Sequence, residues 1–226
     1  MKKRSKRYND SAKLFETDKA YSLSEAISVV KQAANIKFNC SVDLHFSLNV
    51  DPKKADQMVR GSVVLPHGTG KKVKIAVFAK GEQETMARES GADHVGSQDL
   101  IDKVSKGFLD FDCAVATPEM MRDLSKLGKV LGPRGLMPSP KSGTVTNDVV
   151  TAINQIRKGK VDFKVDKQGG IHLSVGKVSF EQDQLLQNAN AVIELINDAR
   201  PSAVKGLYIK SLFVGSTMSK ALRIEV

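Results

Sequence analysis

Long apolar runs are missing from this chain of 226 residues. No stretch approaches the roughly 18–20 consecutive apolar residues of a membrane helix, so no membrane span is expected. No apolar run follows the basic cluster MKKRSKR at the N-terminus, as a secretory signal would require, so no export is expected either. Sulfur is scarce: Cys40 and Cys113 lie 73 positions apart with no second thiol near either. That spacing excludes a disulfide scaffold or a thiolate zinc site, and it points to a reducing, cytoplasmic setting with both thiols as apolar fillers. The four histidines, His45, His67, His94 and His172, share no metal-ligand spacing, and the Gly-x-Ser-x-Gly elbow of serine hydrolases is absent. Gly68-Thr69-Gly70-Lys71-Lys72 fails as a phosphate loop, because Leu65 stands where the first glycine belongs and Lys72 where a magnesium-binding hydroxyl belongs. It fails as a dinucleotide fingerprint too, with Val73 at the third glycine position. No catalytic residue, metal or cofactor is expected.

Apolar residues make up 41% and charged residues 27%, the balance of a soluble globular protein with one large or two ordinary domains. There are 35 basic and 25 acidic residues, giving a formal charge of +10 and a pI of about 9.5. Such an excess suits a polyanionic partner, because neutralised phosphates release counterions. Half of it sits in Lys2, Lys3, Arg4, Lys6 and Arg7, an arm that is either solvated and disordered or a non-specific phosphate clamp.

The chain is written in two periodicities. Ser22 and Glu25 have capping-box spacing, and Leu23, Ile27, Val30 and Ala34 recur at helical spacing, so a helix is expected over 22–34. Val42, Leu44, Phe46, Leu48 and Val50 then alternate with Asp43, His45, Ser47 and Asn49, the pattern of a strand with one wet face. The run Leu65-Pro66-His67-Gly68-Thr69-Gly70 is a chain reversal or linker. The nearly continuous apolar segment 73–79 reads as a strand buried on both faces. Helices are expected at 82–90 and 98–107, short strands at 93–96 and 113–116, and a helix capped by Thr117 with Pro118 in its first turn. Gly128 to Val145 is the least regular stretch, an ordered loop anchored by Leu131, Leu136 and Met137, followed by a helix at 147–157.

Alternation returns with Val161, Phe163 and Val165. Lys167-Gln168-Gly169-Gly170 reads as a hairpin that pairs them with Ile171, Leu173 and Val175. Ser179 and Gln182 offer a second capping box, opening a helix to Ala199 that buries Leu185, Ala189, Val192 and Ile196, and a last strand covers 206–214. The ends share one grammar and the middle has another. The expected architecture is an α+β outer domain from 1–65 and 158–226, with an α/β, Rossmann-like domain with a parallel sheet (66–157) inserted. The outer domain has 22 basic and 14 acidic residues and the insert 13 and 11, so charge alone does not locate a site.

The block Leu131-Gly132-Pro133-Arg134-Gly135-Leu136-Met137-Pro138-Ser139-Pro140-Lys141-Ser142-Gly143-Thr144-Val145 closely resembles the signature of the L-one family of large-subunit ribosomal stalk proteins. Val50-Asp51-Pro52-Lys53-Lys54-Ala55-Asp56, Arg60-Gly61, Leu65 to Lys71, Lys37-Phe38 and Ser216-Thr217-Met218 extend the likeness over essentially the whole chain. The resemblance implies an outer domain that binds large-subunit (23S) rRNA, and a mobile stalk, monomeric when free, that contacts exit-site tRNA. It also implies repression of the protein's own mRNA through a similar RNA shape in the leader. Carried over by position, the RNA-binding residues would be Lys37, Phe38, Ser41, Lys167, His172, Ser216, Thr217 and Met218. Hydroxyls, cations and flat apolar groups suit RNA that is read by shape through sugars and phosphates. The chain departs from the pattern at Cys40, usually Glu, and at Ser219-Lys220-Ala221, usually Gly-Pro-Gly. The rival expectation is an α/β enzyme with a nucleotide pocket in the insert.

Overall fold

A computed structural model describes residues 5–14, 16, 19–34 and 36–225. The chain divides into two compact units, residues 1–70 with 161–226, and residues 71–160.

In the first unit, helix α1 (Lys6–Ala12) is capped by Ser5, whose hydroxyl accepts the Tyr8 N–H at 3.3 Å. The basic arm is therefore helical from Lys6, not a loose tail, while Lys2, Lys3 and Arg4 lie outside the described residues. Strand β1 (Ala20–Tyr21) leads to α2 (Leu23–Ala33), where Ser22 and Glu25 form the expected capping box. Its buried stripe is Ala26, Ile27, Val30 and Ala33. Strand β2 (Ser41–Leu48) buries every second residue, and β3 (Arg60–Val64) follows.

The second unit is built on three parallel strands, β4 (Ile75–Phe78), β5 (His94–Gly96) and β6 (Cys113–Ala116), ordered β5-β4-β6. Helices α3 (Glu82–Glu89) and α4 (Gln98–Ser105) connect them. After β6 the chain makes short helical turns that include α5 (Met121–Leu124) and α6 (Gly128–Leu131). Two expectations change here. Thr117 makes no side-chain cap and is buried, so Pro118 opens the turn without it. The irregular segment begins as helix at Gly128–Leu131, because Leu131 is fully buried and the turn must face the core. Helix α7 (Val149–Arg157) is capped by Asp148, which accepts the Thr151 N–H at 3.1 Å and is held below the usual carboxylate range by Thr151. Ile75, Val77 and Ala79 face one core with Val149 and Ile153, while Ala76 and Phe78 face a second with Leu100, Leu124 and Leu131. The sheet is thus covered on both sides, as a continuous apolar run requires.

Back in the first unit, β7 (Lys160–Lys164) and β8 (Gly170–Lys177) do not form the expected hairpin ladder. Asp166 does close a tight turn, accepting the N–H groups of Gln168 at 2.8 Å and Gly170 at 2.7 Å. But β7 pairs with β3 in a two-stranded sheet while β8 pairs with β2. The Val165 N–H already goes to the Val59 carbonyl, at 2.9 Å. Helix α8 (Gln182–Asp198) starts two residues later than Ser179–Gln182 spacing implies: the Glu181 N–H meets Gln184 Oε1 at 3.1 Å, while Ser179 is engaged by Asn39 at 2.9 Å. Strand β9 (Ile209–Ser216) and β10 (Leu222–Ile224) complete a five-stranded sheet ordered β1-β10-β9-β2-β8. Helices α2 and α8 pack on one face of this sheet and share its core with Val42, Leu44, Phe46, Leu173 and Val214. Cys40 joins the buried apolar set, and Cys113 packs at the edge of the second unit's core.

One buried polar residue holds the loop that leaves this unit. Asn188 on α8 is fully buried; its Oδ1 accepts the His67 N–H at 3.0 Å, and its Nδ2 donates to the carbonyls of Gly68 at 3.1 Å and Val175 at 2.8 Å. A buried amide with every group paired stabilises; the same amide unpaired costs about 1–3 kcal/mol.

Candidate nucleic-acid interface

The period of β2 leaves Ser41, Asp43, His45 and Ser47 on the face opposite the helices. Cross-strand register brings Phe213 of β9 and His172 of β8 to either side of His45, with Gly215 beside Asp43 and Ser211 beside Ser47. This face carries hydroxyls, two imidazoles, a carboxylate and one half-buried aromatic ring.

Six of the eight expected residues lie where β2 begins and β9 ends. The Ser41 N–H donates to Thr217 Oγ1 at 3.1 Å, and the Thr217 N–H donates to the Ser41 carbonyl at 3.2 Å. Lys177 Nζ donates to Ser41 Oγ at 2.9 Å. Lys37 and Phe38 lie just before this clamp and Met218 just after it, all exposed. Phe38 is 53% and Met218 49% exposed, so neither fills the core. Ser216 differs: its side chain is buried at 6% exposure, and its backbone N–H is accepted by Ser219 Oγ at 3.0 Å. Its contribution is to the turn. Lys167 and His172 stand apart, since His172 pairs with His45, about 14 Å along the strand from Ser41 at roughly 3.4 Å per residue. Lys167 belongs to the turn beyond Gly170 and lines a separate hollow of about 490 Å³ with Pro52, Met58 and Lys164.

His45 and His172 meet with Nδ1 atoms 3.0 Å apart, so one ring donates and the other accepts. They line a hollow of about 240 Å³ with Ser47, Asp166 and Phe213. Burial holds His45 below the ordinary imidazole value, His172 adds to that, and Asp43 opposes it. The N–H groups of Gly170 and Gln168 keep Asp166 ionised below the usual range, while its Oδ2 lies 3.8 Å from His172 Nε2. The wet-face alternation of β2 already held His45; nothing in the sequence singled out Phe213 or Asp166.

The departures from the family pattern fit locally. Ser219 supplies the hydroxyl that closes the 216–219 turn, and among the described residues no residue other than glycine has a positive φ, so this turn works without glycine at 219. Gly215 is the tight position: a Cβ there would lie 3.3 Å from Ala221 Cα, so the neighbouring backbone would have to give by a few tenths of an ångström. Cys40 is buried, so the missing carboxylate at this position would not have stood on the open face in this chain. Among the described residues no group of three His, Cys, Asp or Glu side chains could hold a metal ion, and no helix is long and apolar enough to cross a membrane.

The two units thus combine a parallel three-stranded α/β sheet with a mainly antiparallel sheet, β1 alone running parallel to its neighbour, that keeps one face clear of helices. Residues 29–220 match the profile of the Ribosomal protein L1p/L10e family. The chain is 52% identical over 223 residues to the large ribosomal subunit protein uL1 of Onion yellows phytoplasma (strain OY-M), covering 99% of this chain and 97% of that one. The same identity and coverage hold for large ribosomal subunit protein uL1 of Aster yellows witches'-broom phytoplasma (strain AYWB). The chain belongs to the ribosomal protein L1p/L10e family. That membership sets aside the nucleotide-dependent enzyme, because the relatives are named as constituents of a particle and the family is not an enzyme family.

Proposed function

We propose that this chain is a structural constituent of the large ribosomal subunit, at work in the cytoplasm, that binds large-subunit rRNA at the mobile stalk through the open face of its five-stranded sheet. In this reading it helps tRNA leave the exit site, and it represses its own mRNA by binding a similar RNA shape in the leader. The outer unit anchors and the inserted unit, joined by two chain crossings near residues 70–71 and 160–161, is the arm.

The observation that carries the reading is the exposure of Phe38 and Met218 beside the Ser41–Thr217 clamp. Large apolar groups held in water next to hydroxyls and to Lys37 suit ribose edges and phosphates better than a protein core. His172, Asp166 and Lys167 extend the contact along the sheet, and Ser216 supports it from beneath. The relatives' printed name, large ribosomal subunit protein, fits the same assignment.

The test is binding and footprinting of the full chain on a large-subunit rRNA fragment, with Thr217→Val and Phe38→Ala as variants. Each is expected to weaken binding by about 1–3 kcal/mol. Undiminished affinity in a folded Thr217→Val variant removes the clamp from the interface. Absence of any rRNA footprint removes the function.

A further inference from the structure

The signature block has a second property that its role in the fold does not use. From Leu124 to Asn147 the chain contains no acidic residue, yet it carries Lys126, Lys129, Arg134 and Lys141. The rest of residues 71–160 holds eleven basic and eleven acidic side chains, so the entire surplus charge of the second unit lies in this one segment.

Elsewhere in the unit the cations are interspersed with carboxylates, and four of the eleven form an ion pair with one. Lys71 meets Asp112, Lys74 meets Asp110, Lys80 meets Asp123 and Arg88 meets Glu84. Within the segment, Lys126 shares Asp123 at 3.3 Å. Lys129, Arg134 and Lys141 are exposed, and among the described residues none has a carboxylate within ion-pair distance.

The backbone beneath them is fixed. Leu131 is fully buried, and Leu136 and Met137 pack against the same core. The Leu136 N–H donates to the Leu131 carbonyl at 3.1 Å, the Ser139 N–H to Thr144 Oγ1 at 2.8 Å, and the Thr144 N–H to the Ser139 carbonyl at 3.2 Å. A parallel bridge between Val145 and Ala116 ties the end of the segment to β6. Gly135 has φ +70°, with nothing within 4 Å of where a Cβ would stand, so the crest around Arg134 is open to close approach.

Cations held on a rigid frame, without carboxylates and with their apolar neighbours turned inward, offer charge but little apolar area. A protein partner needs the apolar area as well; a phosphate backbone does not. We propose that residues 126–141 form a second RNA-contacting surface, in which Lys129, Arg134 and Lys141 grip phosphates of a folded RNA without reading its bases. This rests on the proposed ribosomal role but uses none of the sheet-face residues.

The test measures the full chain binding a short RNA duplex of arbitrary sequence across a salt series, and binding the rRNA fragment in parallel. The triple variant Lys129→Gln, Arg134→Gln, Lys141→Gln is expected to bind the duplex about tenfold more weakly, with the slope of log K against log[salt] reduced by roughly 2–3. A control of equal charge loss, Lys72→Gln, Lys103→Gln, Lys158→Gln, is expected to leave both nearly unchanged. An unchanged duplex affinity in the first triple variant, which would place binding in the N-terminal arm or the sheet, overturns the proposal. So does an equal loss in both triples, which would mean net charge alone. Loss of rRNA-fragment binding by Thr217→Val with duplex binding intact supports it, whereas a wild-type chain that binds the duplex through 126–141 but ignores the rRNA fragment overturns only the sheet-face reading.

Discussion

Strand β2 is buried at every second position, and β4 at all four of its positions. The first belongs to a sheet with helices on one side only, the second to a sheet with helices on both. The consequence is a division of labour. A half-covered sheet keeps a rigid face free for a ligand, whereas a doubly covered sheet spends both faces on its core and leaves binding to its loops. In this chain the hydroxyls and imidazoles stand on the open sheet, and the surplus positive charge of the second unit stands on the acid-free segment 124–147.

The sharpest way to test the comparison is to damage each core separately. Phe46→Ala in the first unit and Phe78→Ala in the second each remove a fully buried ring, at an expected cost of about 3–5 kcal/mol. Denaturant titration followed by probes in each unit should show one transition move while the other stays, and a single shared transition for both variants would break the division. Next in size is Asn188→Ala, which strands the His67 N–H and leaves two carbonyls unpaired. We expect a loss of about 1–3 kcal/mol in the first unit's transition. The helix caps come third: Ser22→Ala in the first unit and Asp148→Ala in the second should each cost about 1 kcal/mol in its own unit's thermal unfolding. Smallest is a pH effect confined to the open face. His45 is a base with a folded-state value below its unfolded one, so the unfolded chain takes up more protons in the window below about 6.5. Stability should therefore fall as pH drops through that window, and His45→Asn should flatten the fall in a Tm-versus-pH profile while leaving the second unit's profile unchanged.

Much of this division could be read from residue order, because burial periodicity is a local property. The helix expected at 22–34 is found at Leu23–Ala33, and the strand expected at 42–50 at Ser41–Leu48. Pairing is not local, and there the reading failed. Val161, Phe163 and Val165 alternate like a hairpin partner for Ile171, Leu173 and Val175, yet β3 and β2 compete for the two strands and take them into different sheets. Strands β1 and β10 are two and three residues long, too short to show a period. For the candidate site, residue type and family likeness indicated Phe38 and Met218 but not their exposure, which depends on what packs around them. Ser216 carries the right hydroxyl and faces inward, because it falls on the same side of β9 as the buried Leu212 and Val214.

The balanced charge of the second unit outside residues 124–147 has a mechanical corollary. A body whose surplus sits in one segment does not simply drift towards a polyanion; the field exerts a torque on it. In the proposed contact with RNA phosphates, that torque would turn segment 124–147 towards the polyanion before contact, shortening the rotational search that slows most macromolecular encounters.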